Sequence, residues 1–342
     1  MKKLTILASA LLLTGAAYAQ GPTNSSYRGY AQRPVSAPAN AHGANAQVAG
    51  ASQGSYSPNY SDYNQDSYIN QAGSGNYATV DQSDSRAPQA NGGSTAILDQ
   101  TGNNNNASQK QTLVNTYFSN TDNPESRDFM KATQAGSSSQ VNQTQGGGGF
   151  NTMNVTQGAG TTGNRAIQTQ SVNGINVGDG NQANITQTKY ATAGGGSGNR
   201  AEQDQSGVLQ TASIDQEASN SYAYQKQRGG ITGPHQNSAY IHQGDPGNAN
   251  TAIQSQDGVD NSARIRQSVS STANNNYAKQ TQTLTGNQAD IEQKSSGNYA
   301  EQVQSGLAGG GGNYSSIDQS MVKSAAYTTQ TGNNNSAYVV QH

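Results

Sequence analysis

The charged residues of this chain obey a parity rule. A seven-residue unit, Asn, any, Ala, any, Ile/Val or Gln, any, Gln, recurs from "QDSYINQ", which opens at Gln65, to "NSAYVVQ", which closes at Gln341. Twenty copies end at Gln71, Gln82, Gln100, Gln111, Gln143, Gln157, Gln170, Gln187, Gln205, Gln216, Gln227, Gln243, Gln256, Gln267, Gln282, Gln293, Gln304, Gln319, Gln330 and Gln341, with degenerate copies at Gln71, Gln143 and Gln330. Together they hold 17 charged side chains, all at the second, fourth or sixth position. Successive strand side chains point to opposite faces, so this alternation predicts strands with one buried and one solvated face.

Punctuation agrees with the parity. None of the 41 glycines or eight prolines falls inside a unit. Glycine supplies the positive φ of tight arcs, and proline would remove a ladder donor from a strand. The shortest spacing, Gln293 to Gln304, leaves seven residues of strand and four of arc, enough to turn a strand onto a facing sheet. From Gln157 onward the fifth position alternates between aliphatic and amide residues, beginning Val155, Gln168, Ile185, Gln203, Ile214, Gln225, with Thr328 taking one amide place. The true repeat is therefore strand-arc-strand-arc, as short as 22 residues, the mark of a stacked architecture.

The predicted fold is all-β: a β-solenoid of about ten rungs with cross-β spacing, two facing parallel sheets and uncapped ends. A chain that is 31% hydrophobic, with no Trp and a mean hydropathy of -0.83, cannot build a conventional oily core. Stacking resolves this, because every inward amide then sits above its own kind and hydrogen-bonds along the axis. The predicted core columns include Asn76, Ala78 and Gln82; Asn181, Ala183, Ile185 and Gln187; Asn237, Ala239, Ile241 and Gln243; and Asn261, Ala263, Ile265 and Gln267. They continue through Asn287, Ala289, Ile291 and Gln293; Asn298, Ala300, Gln302 and Gln304; and Asn335, Ala337, Val339 and Gln341. Within a rung, the bulky fifth residue of one strand is expected to face the small third-position Ala of the other. If like units stack in order, Arg264 neighbours Asp290, Arg266 neighbours Glu292, Lys279 neighbours Glu301 and Asp204 neighbours Lys226, while Arg165 and Arg200 form a like pair.

Residues 1–19 read as a signal peptide: Lys2 and Lys3, an apolar run, then Ala17-Tyr18-Ala19 before Gln20. Its removal leaves 16 Lys and Arg against 20 Asp and Glu, a formal charge of about -4, with no basic cluster for nucleic acid and no membrane span in the mature chain. There are no cysteines, so neither a disulfide nor a thiolate-bound metal stabilises an exported chain of this kind. Residues 20–63, rich in Ala, Pro, Ser and Tyr, read as a disordered leader. The repeat region spans 64–342 and breaks its rhythm at 112–136, where either an irregular strand or a loop must lie.

These repeats resemble the curlin repeat of curli functional amyloid subunits. "QAGSGNYATVDQ", Gln71 to Gln82, fits the x-Gly-x-Gly-Asn-x-Ala-x3-Gln half of that pattern, and "QTGNNNSAYVVQ", Gln330 to Gln341, fits with Asn334 in place of the second Gly. Departures are the opening Asn where the family has Ser, longer arcs, and about ten repeats. The resemblance implies export through an outer-membrane secretion pore addressed by the leader, nucleation by a partner subunit at the cell surface, and growth into homopolymeric extracellular fibres of a biofilm matrix. It implies no enzyme activity and no cofactor. The residues themselves agree: His42, His235, His242 and His342 are scattered, and the acidic side chains sit singly on solvated faces. The rival expectation is a monomeric secreted solenoid, an adhesin or an ice-binding protein. Against it, the last unit is followed only by His342, which leaves no capping segment over the edge.

Overall fold

A computed structural model describes residues 47–49, 65–84, 94–113, 128–147, 151–171, 180–189, 196–229, 236–244, 247–267, 274–306 and 311–342. The signal peptide, most of the leader and residues 114–127 lie outside the described residues. The strands are β1 (Gln47–Ala49), β2 (Gln65–Gln71), β3 (Tyr77–Asp84), β4 (Ser94–Gln100), β5 (Asn106–Leu113), β6 (Phe129–Gln134), β7 (Gln140–Gly146) and β8 (Thr152–Gln157). Next come β9 (Arg165–Ser171), β10 (Gln182–Gln187), β11 (Arg200–Ser206), β12 (Gln210–Gln216), β13 (Tyr222–Arg228), β14 (Asn237–Gln243) and β15 (Thr251–Val259). The series closes with β16 (Ser262–Gln267), β17 (Tyr277–Thr285), β18 (Gln288–Gln293), β19 (Tyr299–Ser305), β20 (Tyr314–Gln319), β21 (Ala325–Thr331) and β22 (Ser336–Gln341).

From β2 onward, consecutive strands go to opposite sheets. The even-numbered strands, with β1 at the outer edge of β2, form a twelve-stranded parallel sheet, and the remaining odd-numbered strands form a ten-stranded parallel sheet. The chain is thus a two-sheet β-solenoid, and no helix occurs among the described residues. Register follows the seven-residue unit: Ala201 lies between Ala166 and Ala223, and Gln205 between Gln170 and Gln227.

The packing follows the expected reciprocity. Ile185, Ile214, Ile241, Ile265, Ile291 and Ile317, at the fifth position of the twelve-stranded sheet, form one buried cluster with Ala166, Ala201, Ala223, Ala252, Ala278 and Ala300, at the third position of the other. In β6 the fifth residue shrinks to Ala132, and in β7 the third grows to Val141, which conserves volume. The other half of each rung sets amides against small residues: Gln302 Nε2 donates to Ser315 Oγ at 3.2 Å, and that hydroxyl lies 2.7 Å from Thr328 Oγ1.

Several expectations require correction. The rhythm break at 112–136 contains a regular strand, β6, missed because its unit opens with Asp128 and carries Ala132 where an aliphatic residue stands in the other units of its sheet. Asp128 is buried, so a charged residue type does occupy an inward position; its Oδ1 accepts from the backbone N–H and the Nδ2 of Asn151, both at 3.0 Å. The unit read as ending at Gln143 ends at Gln145, since Gln143 pairs with Gln109 and Gln168 at the fifth position. Faces survive this slip because it is two residues, a whole strand period. Third, the leader is not disordered throughout: Gln47–Ala49 pair in parallel with Ile69–Gln71, so the N-terminal edge is partly covered, as open edge groups favour.

Fourth, the arcs do not depend on glycine alone. The residue preceding each unit of the ten-stranded sheet is left-handed whatever its type: Gly75, Asn104, Ser138, Gly163, Gly198, Asn220, Ala249, Asn275, Gly297 and Lys323, with φ between 52° and 70°. Stacking fixes this conformation even where the side chain disfavours it. Glycine is sterically required at Gly102, where a Cβ would lie 1.6 Å from the Gly136 carbonyl oxygen of the next arc. The fifth correction concerns the asparagines and belongs to the site.

Candidate functional site

The regular feature of this molecule is its set of amide columns. At the seventh position of the twelve-stranded sheet, Gln71, Gln100, Gln134, Gln157, Gln187, Gln216, Gln243, Gln267, Gln293, Gln319 and Gln341 form one chain, each Nε2 donating to the next Oε1 at 2.6–3.0 Å. The ten-stranded sheet carries a second such column from Gln82 to Gln330. A third runs along its fifth position from Gln109 to Gln302.

The other amide hydrogen crosses the core. Gln187, Gln243, Gln267 and Gln293 donate to the carbonyls of Arg165, Tyr222, Thr251 and Tyr277 in the facing sheet, and Gln302 and Gln304 reach back to Asp290 and Gln288. These glutamines therefore link neighbouring rungs and tie the two sheets together. Buried amides satisfied in this way avoid the desolvation penalty that excludes polar groups from ordinary cores.

All three columns donate toward the C-terminal end. Inside the stack most Nε2 groups make both an axial and a cross-sheet bond, as Gln157, Gln187 and Gln205 do, while Gln145 makes the axial one. At the last strands of each sheet, Gln330 and Gln341 make only the cross-sheet bond, to Tyr314 and Ala325. Strand β22, expected to belong to the core, is half-exposed at Ala337, Val339 and Gln341, and Asn335 is exposed, because among the described residues β20 is its one strand neighbour.

The asparagines were expected to form the same amide ladders, but most of them bond to the backbone. The Oδ1 atoms of Asn237, Asn261, Asn287 and Asn298 accept the backbone N–H that opens the next unit, at 2.9–3.2 Å. The Nδ2 groups of Asn76, Asn181, Asn237 and Asn261 donate to the carbonyls of Gly102 and Gly207 in arcs and of Gly258 and Leu284 at strand ends. Asparagine is short enough to stay at the backbone of the neighbouring rung, so it ties each arc to the next. Direct amide–amide bonds join Asn261, Asn287, Asn313 and Asn335.

On the solvated face the charges stand in register. Arg264 is paired with Asp290 through two hydrogen bonds of 3.1 and 2.8 Å, which raise the guanidinium pKa. Arg266 lies 2.9 Å from Glu292, and Lys279 lies 2.8 Å from Glu301, whose carboxyl pKa is lowered chiefly by that bond. Asp204 and Lys226 are register neighbours without an ion pair, and Arg165 lies beside Arg200, which turns to Glu202 in its own strand. Two further contacts escaped the sequence reading. Lys294, in an arc, bonds Asp318 at 2.8 Å and approaches Glu292 at 3.5 Å, relieving the repulsion between these register-paired acids. His242 Nδ1 sits 3.3 Å from Asp215, and that hydrogen bond raises the imidazole pKa.

No group of three or more His, Cys, Asp or Glu able to hold a metal occurs among the described residues. Nor is any helix among them long and apolar enough to cross a membrane. No protein-family model matches this chain, and no curated protein matches it. The likeness to the curlin repeat therefore rests on the quoted residues themselves.

Proposed function

We propose that this chain is a secreted structural subunit that assembles with copies of itself into extracellular, curli-like amyloid fibres for a biofilm matrix, adhesion and aggregation. One observation carries the reading: three glutamine columns donate in a single direction, and two of them pass through every rung of their sheet, from β2 to β22 and from β3 to β21. A further rung from another copy would extend both columns and the two parallel sheets without altering their geometry. On this reading a nucleating subunit and an outer-membrane pore are the expected partners, the fibre lies at the cell surface, and neither an enzyme activity nor a cofactor is involved. The rival monomeric ice-binding solenoid gains little from the outward columns, which mix Tyr222, Thr251, Tyr277 and Tyr299 in one row instead of presenting a flat threonine array.

The test is incubation of the purified chain without partners at micromolar concentration, followed by electron microscopy. Unbranched β-rich fibres are expected, together with seeding by preformed fibres. A chain that stays monomeric for days would overturn the proposal.

A further inference from the structure

Tyrosines on the solvated face of the ten-stranded sheet are brought together by register. Tyr277 and Tyr299 are paired residues of β17 and β19, and their rings stack with centroids 4.9 Å apart and planes 11° from parallel. Tyr327 of β21 lies on the other side of Tyr299, at 5.2 Å and 37°. A further tyrosine pair, Tyr314 with Tyr338, lies on the twelve-stranded sheet at 5.3 Å. Tyr299 differs from its neighbours in one respect: its hydroxyl donates to Glu301 Oε2 at 3.0 Å, while Lys279 holds Oε1 of the same carboxylate at 2.8 Å. The phenol thus has a proton acceptor in place and an aromatic ring on either side.

We infer that Tyr299 is the centre of an oxidative cross-linking site, at which a peroxide-derived one-electron oxidant joins it to Tyr277 or Tyr327 as dityrosine. Each of the two phenols loses one electron and one proton, the proton of Tyr299 passing to Glu301 and that of its partner to water. The two phenoxyl radicals couple through ring carbons ortho to oxygen, forming one C–C bond. The hydrogens on those carbons then return to the oxygens as the rings regain aromaticity. Two electrons and two protons leave in all, and one hydrogen peroxide becomes two waters. The hydrogen bond to Glu301 favours the first step, because a phenol radical cation is a strong acid and the carboxylate takes its proton. The same bond holds the ordinary ionisation back, pushing the phenol pKa up to about 12, so the proton leaves with the electron and not before it. Both rings belong to one chain, so the link forms within a subunit and staples successive rungs along the axis, whether or not the chain polymerises.

The test treats dilute chain with hydrogen peroxide and a haem peroxidase, reads dityrosine fluorescence, and maps cross-linked peptides by mass spectrometry. The expected result is a concentration-independent link joining Tyr299 to Tyr277 or Tyr327. Tyr299→Phe should lower the yield to that of the Tyr314–Tyr338 pair alone, whereas Tyr77→Phe, with no ring partner among the described residues, should leave it unchanged. Glu301→Gln should slow the reaction while circular dichroism stays that of the parent. Links mapping mainly elsewhere, a yield proportional to chain concentration, or an undiminished yield in Tyr299→Phe would each overturn the inference.

Discussion

Replacing Gln225 by Leu tests the amide columns most sharply, because it preserves bulk and removes only polarity. Gln225 is buried at 1% exposure and sits mid-stack. It accepts from Gln203 at 3.0 Å and donates to Gln254 and to the Ser213 carbonyl, both at 2.9 Å. Leucine would leave an N–H of Gln203, the Oε1 of Gln254 and one lone pair of Ser213 without a partner. Gln203 keeps its 2.8 Å bond to Asn184, so the loss is put near the lower end of the range, about 3–5 kcal/mol at roughly 1–3 kcal/mol per orphaned group. Lys226→Gln, one residue away on the solvated face, should move stability by no more than about 0.5 kcal/mol. The assay is urea denaturation of unassembled chain followed by circular dichroism. A second leucine at Gln203 should cost less than its own single substitution predicts, since the two variants share one lost bond. If Gln225→Leu matched Lys226→Gln, or if the two leucines were additive, the columns would not be what holds the rungs together.

Other expectations separate faces, arcs and charges. Ala300→Lys places an unpaired charge at a fully buried position and should block folding, whereas Glu301→Lys should cost about 1 kcal/mol or less through its half-exposed pair with Lys279; equal effects in the same denaturation series would mean the parity is inverted. Gln210 is buried where an asparagine usually stands, and both its amide atoms lack partners, so Gln210→Asn should raise stability by about 1–3 kcal/mol in denaturant titration. Ala249→Gly and Lys323→Gly should each stabilise by about 1 kcal/mol by relieving left-handed strain at φ of 54° and 55°. His242 has its folded-state pKa raised by Asp215; its contribution is therefore complete below the ordinary imidazole value of about 6.5 and is lost as pH rises through the folded value. His242→Gln should flatten that part of the stability–pH curve.

Much of the fold can be read from parity because burial here is enforced on every second residue for twenty units. A charge on the inward face must find a buried partner, as Asp128 does in Asn151, so charges gather at the even positions and report the solvated surface. Stacking order is legible for a related reason: in-register parallel strands bring like positions within a strand spacing, so Arg264 and Asp290 could be paired by counting units. The failures are equally physical. In "QVNQTQ" both the fifth and seventh residues of the amide strand are glutamine, so residue type alone cannot distinguish a slip of two, and only contact with Gln109 and Gln111 decides it. In β6 the core conserves rung volume and not residue type, so Ala132 against Val141 breaks the motif while satisfying the packing. The role of asparagine was missed because its side-chain length sets its partner: one methylene shorter than glutamine, it reaches the backbone of the neighbouring rung before another amide. Lys323 shows the same limit in the arcs, where neighbouring rungs impose a left-handed turn that its own sequence does not signal.

The central claim is that rungs continue from one copy to the next perpendicular to a fibre axis. X-ray diffraction from aligned fibres of the purified chain tests it most directly. A meridional reflection near 4.7–4.8 Å, with an equatorial spacing of about 10 Å for the two packed sheets, is the predicted pattern. Aligned fibres whose 4.7–4.8 Å reflection falls on the equator, or that lack it altogether, would contradict the account.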